Sequence, residues 1–198
     1  MSHPPRILGG GGQRRRGLVR KDREAALQAR DYSATETLRD GRTVDIRALR
    51  PEDRAGLLAA VGRTSDQSLY RRFFGFKRGF TDQEVDFYVN VDFVDHVALV
   101  AVLEEDGRHV IVGGARYIVV RPGEAEVAFA IDDDHQGRGI GTALMRHLVN
   151  MARLAGLKEL VADVLTDNTA MLKVFARSGL KILTRREPGA THFVFQLK

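Results

Sequence analysis

EAEVAFAIDDDHQGRGIGTALMRHLVNMARL, residues 124–154, passes from a short apolar segment through three aspartates and a glycine-rich turn into a long amphipathic pattern. Ile140, Leu144, Leu148 and Ala152 recur every four positions, Met145, Val149 and Met151 widen the stripe, and Gly156 ends it. That spacing predicts a helix with one apolar face, entered directly from a strand. The turn Gln136-Gly137-Arg138-Gly139-Ile140-Gly141 therefore lies at a helix N-terminus. Glycines there let the backbone turn tightly and present several N–H groups where the helix dipole favours an anion, so phosphate oxygens are the expected ligand class. The spacing Gly137-x-Gly139-x-Gly141 does not match the dinucleotide pattern G-x-G-x-x-G, and the chain has no G-x-x-x-x-G-K-[ST].

Upstream, HVALVAVLEE (96–105) and HVIVGGARYIVV (109–120) are joined by Asp106-Gly107-Arg108 and read as an antiparallel pair. Before them, Asp40-Gly41 makes a turn into the alternating segment 43–49, the expected first strand. Pro51, followed by Glu52 and Asp53, opens a helix whose buried stripe is expected to be Leu57, Leu58 and Val61. A second helix is expected over 66–74, and a third is capped by Thr81 with Glu84 at capping-box spacing. Downstream, a strand at 160–165, a helix at 169–177 and strands near 181–184 and 192–196 complete a mixed α/β (α+β) pattern. It predicts a mostly antiparallel sheet of six to seven strands flanked by helices.

The 198 residues fit one domain with a tail. The absence of cysteine excludes disulfides, thiolate zinc sites, iron–sulfur clusters and a cysteine nucleophile. No apolar run approaches the roughly 20 residues that cross a bilayer, and the N-terminus lacks the apolar centre of a secretion signal, so a cytoplasmic protein without membrane contact is expected. Net charge is +5, but eight Lys or Arg and two acids fall within residues 1–30. The remainder carries 23 bases and 24 acids. The basic excess thus belongs to a glycine-rich arm, 1–34, expected to be flexible, and contact with nucleic acid is expected only through that arm. Asp132-Asp133-Asp134-His135 is not expected to bind metal, because successive residues of an extended chain point to opposite sides. His147 is expected to be a surface or packing residue.

On these residues, positions 35–198 resemble the GNAT superfamily of acyl-CoA-dependent N-acetyltransferases, whose [QR]-x-x-G-x-[GA] signature Gln136 to Gly141 matches. TLRDGRTVDIRALRPED, SLYRRFF, VDHVALVAV and EVAFAI are similar to the GNAT domain of Pat-type protein lysine acetyltransferases. Those enzymes often fuse this domain to a large synthetase-like or cyclic-nucleotide-binding domain; a stand-alone version is expected here. The resemblance implies a sheet splayed between its fourth and fifth strands, with acetyl-CoA as co-substrate and no metal. Its pyrophosphate would meet the loop Gln136, Gly137, Arg138, Gly139, Ile140, Gly141 and Thr142. Its pantetheine arm would pair with the strand edge at Ala130, Ile131, Asp132 and Asp133. Asn168 is either a further cofactor contact or a helix cap.

The reaction implied is transfer of an acetyl group to a primary amine by direct attack in a ternary complex. The acceptor expected from the Pat resemblance is a protein lysine, for example on an acyl-CoA synthetase; a small amine is the alternative, and a non-catalytic acyl-CoA-sensing module a third reading. A lysine of pKa about 10.4 must lose a proton to attack, which calls for a base. Glu126 matches the strand glutamate that serves in many members, with Glu124 and Asp163 as weaker candidates. Many members place a Tyr where this chain has Phe175, which leaves the proton donor to the departing thiolate open, with water as one source. A backbone N–H of Ala130 or Ile131 would polarise the thioester carbonyl. Tyr70 is the expected acceptor contact, whereas Phe73 and Phe74 are expected to pack.

Overall fold

The computed structural model describes residues 26–74 and 79–198. Most of the expected arm, 1–25, lies outside the described residues. Residues 26–30 are helical, with Ala26 and Ala29 in the core. They are followed by β1 (Ser33–Thr37), β2 (Thr43–Ala48), α1 (Arg54–Gly62), α2 (Asp66–Phe73), α3 (Asp82–Val89), β3 (His96–Glu105), β4 (Arg108–Arg121) and β5 (Glu124–Ile131). Then come α4 (Ile140–Leu154), β6 (Glu159–Leu165), α5 (Thr169–Ala176), β7 (Lys181–Glu187) and β8 (Ala190–Gln196). One sheet contains all eight strands in the order β1-β2-β3-β4-β5-β6-β8-β7.

The sheet has eight strands rather than six to seven because β1 joins its edge. SATET is polar and no more than half-buried, so it shows no apolar alternation; its pairing with β2, Ser33 opposite Arg47 through Thr37 opposite Thr43, defines it instead. β3 is central. Its first eight residues, HVALVAVL, are all buried because helices cover both faces. On one face α4 inserts Ile140, Leu144, Met145 and Leu148 into the main core, which continues through Phe175, Phe193 and Phe195. On the other, α1 packs over a smaller core of Leu49, Ala98, Val100, Val102 and Ile111. There the expected stripe is corrected: no α1 residue is fully buried and Leu58 is 43% exposed. The inward positions are Leu57 and Ala60, with Gly56 close against Ile111, because α1 is an outer layer over half a sheet.

Neighbouring strands are antiparallel except β5 and β6. These two pair in parallel only from Glu124 opposite Glu159 to Glu126 opposite Val161. Beyond that point they diverge. β4 continues to pair with β5 as far as Ile131, and β8 with β6 as far as Leu165, so each diverging strand keeps one partner and loses the other. The edge of residues 127–131 facing β6 is left without a ladder partner.

Candidate active site

The splay begins at Glu126. Its side chain projects from the sheet face covered by α1, α2 and α3, the face it shares with Ile118 and Arg116 of β4 and with Val161 and Asp163 of β6. Although part of Glu126 remains exposed, the surrounding protein pushes its carboxyl above the ordinary glutamate range. Burial is the largest cause; the Arg72 charge opposes it, Asp163 adds to it, and His192 opposes it. Asp163 Oδ1 lies 2.7 Å from His192 Nδ1 on the adjoining strand. Glu124, two residues earlier on the same face, is buried and accepts from Arg121 Nη2 at 2.5 Å. Of the three carboxylates considered from sequence, Glu126 has no ion-pair partner among the described residues, whereas Glu124 and Asp163 are engaged.

At the other end of the splay, β5 runs into the loop before α4. Asp132, 3% exposed, accepts from Arg63 Nε at 2.6 Å, and the same guanidinium donates to the Ile111 carbonyl at 2.8 Å. Asp133 accepts from the Ser65 N–H at 2.6 Å, from Ser68 Oγ at 2.5 Å and from Gln136 Nε2 at 2.7 Å. These two side chains therefore brace the α1–α2 junction against the loop, and Gln136 is held by Asp133 and by the Ile131 carbonyl at 3.2 Å. None of these anchors was legible in the sequence, since Arg63, Ser65 and Ser68 lie about 65 residues away. Gly137 (φ 76°) and Gly139 (φ 104°) occupy left-handed backbone, where β-carbons are strained. Gly141 serves packing: a Cβ there would come within 3.1 Å of Val174 on α5. The first N–H groups of α4 have no intrahelical acceptor, as in every helix, and they open beside the exposed Arg39.

Thr142 lies in the first turn of α4, and Ala130 and Ile131 lie on the unpaired edge, so the structure groups these with the glycine loop. Asn168 accepts from the Met171 N–H at 3.2 Å and caps α5, as one of its two expected roles required. Tyr70 borders an open depression of about 440 Å³ lined also by Asp66, Gln67, Arg71 and Asp167. There Arg71 pairs with Asp167 at 3.3 Å, linking α2 to the end of β6. Phe175 is 1% exposed among Phe129, Phe193 and Phe195. Phe73 packs edge-on against Phe80 and Tyr88. His147 is buried, bonded to the Tyr32 hydroxyl and to Glu36 at 2.7 Å, and so ties α4 to β1. Among the described residues no group of three His, Asp or Glu is placed to hold a metal ion, and no helix is long and apolar enough to cross a membrane.

A sequence profile of the acetyltransferase (GNAT) family matches residues 66–180, which span α2 to α5 and both sides of the splay. The chain belongs to the GNAT acetyltransferase family. It is accordingly an acyl-transferring enzyme, and its mixed α/β sheet is the GNAT fold. This GNAT chain is 36% identical over 137 residues to an acetyltransferase of Pseudomonas aeruginosa, covering 69% of this chain and 74% of that protein. It is 37% identical over 146 residues to the acetyltransferase Pat of Mycolicibacterium smegmatis, covering 72% of this chain but 42% of Pat, so it spans less than half of that relative. The GNAT domain of S. lividans PAT superposes with a TM-score of 0.75 at 33% identity, over 83% of this chain and 96% of that one.

Proposed function

We propose that this GNAT enzyme transfers an acetyl group from acetyl-CoA to the side-chain amine of a protein lysine, by direct attack in a ternary complex, with Glu126 as general base. One observation carries the reading: the sheet opens at Glu126, a carboxylate without an ion-pair partner among the described residues, and the open edge leads to the glycine turn at the start of α4. The similarity to Pat supports lysine as the acceptor class.

The residues fit the co-substrate. The turn at Gly137 to Thr142 offers N–H groups and a helix dipole to a pyrophosphate, with Arg138 beside it. The free edge of residues 127–131 offers amides and carbonyls to a chain that bonds as an added strand, pantetheine being such a chain. Bound there, the thioester would supply an activated acetyl carbonyl. Glu126 accepts the amine proton, directly or through one water; its raised pKa, caused chiefly by burial, makes its carboxylate a stronger base than that of an ordinary glutamate. An N–H of Ala130 or Ile131 stabilises negative charge on the carbonyl oxygen. Phe175, sealed in the core, has neither a hydroxyl nor access and cannot protonate the departing thiolate, for which water is one proton source.

The test is CoA release measured with candidate acceptor proteins, alongside mass spectrometry of the acceptors and calorimetry of acetyl-CoA. Acetylated lysines with stoichiometric CoA release are the expected result. Tight acetyl-CoA binding without transfer to any amine would replace the enzyme reading with that of an acyl-CoA sensor.

A further inference from the structure

Two arginines lie on the sheet face of Glu126 and form no ion pair among the described residues. Arg116 of β4 lies opposite Ala128 of β5, one alternation along from the pair Ile118 and Glu126. Arg72 belongs to α2, which packs on β5. Both are only half-buried, and neither forms an ion pair among the described residues. Aromatic rings hold them in place: the Arg116 guanidinium is 4.6 Å from the Tyr88 ring centroid, and that of Arg72 is 4.8 Å from Phe73. Arg116 also donates to the Tyr88 carbonyl at 3.2 Å and to His96 Nε2 at 3.0 Å.

These contacts orient the guanidiniums without neutralising them. His96 is kept neutral, its pKa pushed down to about 4 by burial and by the Arg116 charge, so it accepts a hydrogen bond and contributes no charge. Burial and the Arg72 charge bring Arg116 down to about 9. Glu126 is near enough for the Arg72 charge to act on it, yet its pKa is raised rather than lowered, the opposite of what a paired carboxylate shows. The β5 residues on this face beside Arg116, Ala128 and Ala130, have small side chains. A partly desolvated guanidinium ordinarily has a carboxylate or phosphate in its fork, and here two neighbouring cations share a sheet face with one carboxylate that the reaction needs for itself.

We propose that Arg72 and Arg116 form an anion subsite that binds a carboxylate carried by the acceptor close to the reacting amine. For a protein acceptor this is an aspartate or glutamate flanking the lysine; for a free amino acid it is the α-carboxylate. The inference rests on the reading of Glu126 as the base, since that places the amine beside these arginines.

Calorimetric titration of the full chain, saturated with CoA, separates the cases. One arm compares end-capped peptides with Lys flanked by Glu or by Gln; the other compares lysine with lysinamide. The expected result is at least tenfold tighter binding of the carboxylate form in the peptide arm. Selectivity in the amino-acid arm alone assigns the subsite to a small-molecule carboxylate. Arg72→Gln and Arg116→Gln should each remove the selectivity while CoA affinity, which reports an intact fold, stays unchanged. Equal affinities in both arms, or selectivity that persists in both variants, overturn the subsite. Acetylation of the same acceptors, followed in parallel reactions with acetyl-CoA in place of CoA, keeps the readings apart: carboxylate-selective binding without any transfer retains the subsite and removes the acetyl-transfer reading.

Discussion

In the proposed mechanism, Glu126 and Gly139 place chemistry and recognition at opposite ends of one strand–loop unit. If Glu126 takes the amine proton, Glu126→Gln should lower turnover by about 10²- to 10⁴-fold with acetyl-CoA affinity retained. The pH profile gives the more specific test. The carboxyl must lose its proton to act, and its pKa is raised, so the wild-type kcat/KM should climb through an apparent pKa above the usual glutamate value of about 4.3. The variant should lack that limb and climb only as free amine forms. Gly139→Val should raise the acetyl-CoA Kd by roughly tenfold, about 1.4 kcal/mol. Space is not the reason: among the described residues a Cβ at Gly139 meets only the Arg39 side chain, Cγ at 3.9 Å and Nε at 4.0 Å, whereas φ 104° is strained for valine and the turn that aims the N–H groups would shift. An unchanged Kd in a folded Gly139→Val protein would take the turn out of the binding site.

At the level of the element, the segment before α1 is fixed to β2 by a bidentate pair. Arg47 donates to Asp53 Oδ1 and Oδ2 at 2.7 Å each, and the Arg50 N–H adds 2.8 Å, with Asp53 only 8% exposed. Burial alone would raise the Asp53 pKa; the hydrogen bonds from Arg47 and Arg50 outweigh it and hold the carboxyl below the ordinary aspartate range. Asp53→Asn should therefore cost about 3 kcal/mol in denaturant unfolding, since it leaves Arg47 largely buried and unpaired. A depressed acid stabilises the fold fully above its unfolded pKa of about 3.9, and that contribution is lost as pH falls through the lower folded value. The wild type should thus lose stability in acid more steeply than the variant. This pair was not legible from sequence, where Asp53 reads as an acid suited to a helix N-terminus; the turn over Pro51–Asp53 folds it back onto β2 instead.

Across the whole molecule, the buried alanines show that the residues just before β1 are part of the folded unit. Ala26 and Ala29 lie in the main core, and Tyr32 and Glu36 bond His147 of α4, so β1 and the helical residues before it belong to the packing. Removing residues 1–25 should leave Tm and turnover on a peptide acceptor within error. Removing residues 1–31 should lower Tm by several degrees, because it strips core surface. Equal Tm values for the two truncations would show that 26–31 contribute no stability.

The sequence alone determined the long helix, the glycine turn before it, the antiparallel pair and the family, because each is a local pattern: a four-residue repeat, a loop spacing, an alternation. Glu126 was legible as a candidate for the same reason, through its place in a matching strand. The arrangement around it was not. β1 is too polar to show as a strand, the inward face of α1 depends on what it covers, and the anchors of Asp132 and Asp133 come from Arg63, Ser65 and Ser68. Arg116 reads in sequence only as one cation in an apolar strand, and Arg72 as part of an aromatic-rich helix. Tertiary structure decided that both share a face with Glu126, because strand register and the packing of α2 on β5 fix which distant side chains meet, and no local spacing encodes that.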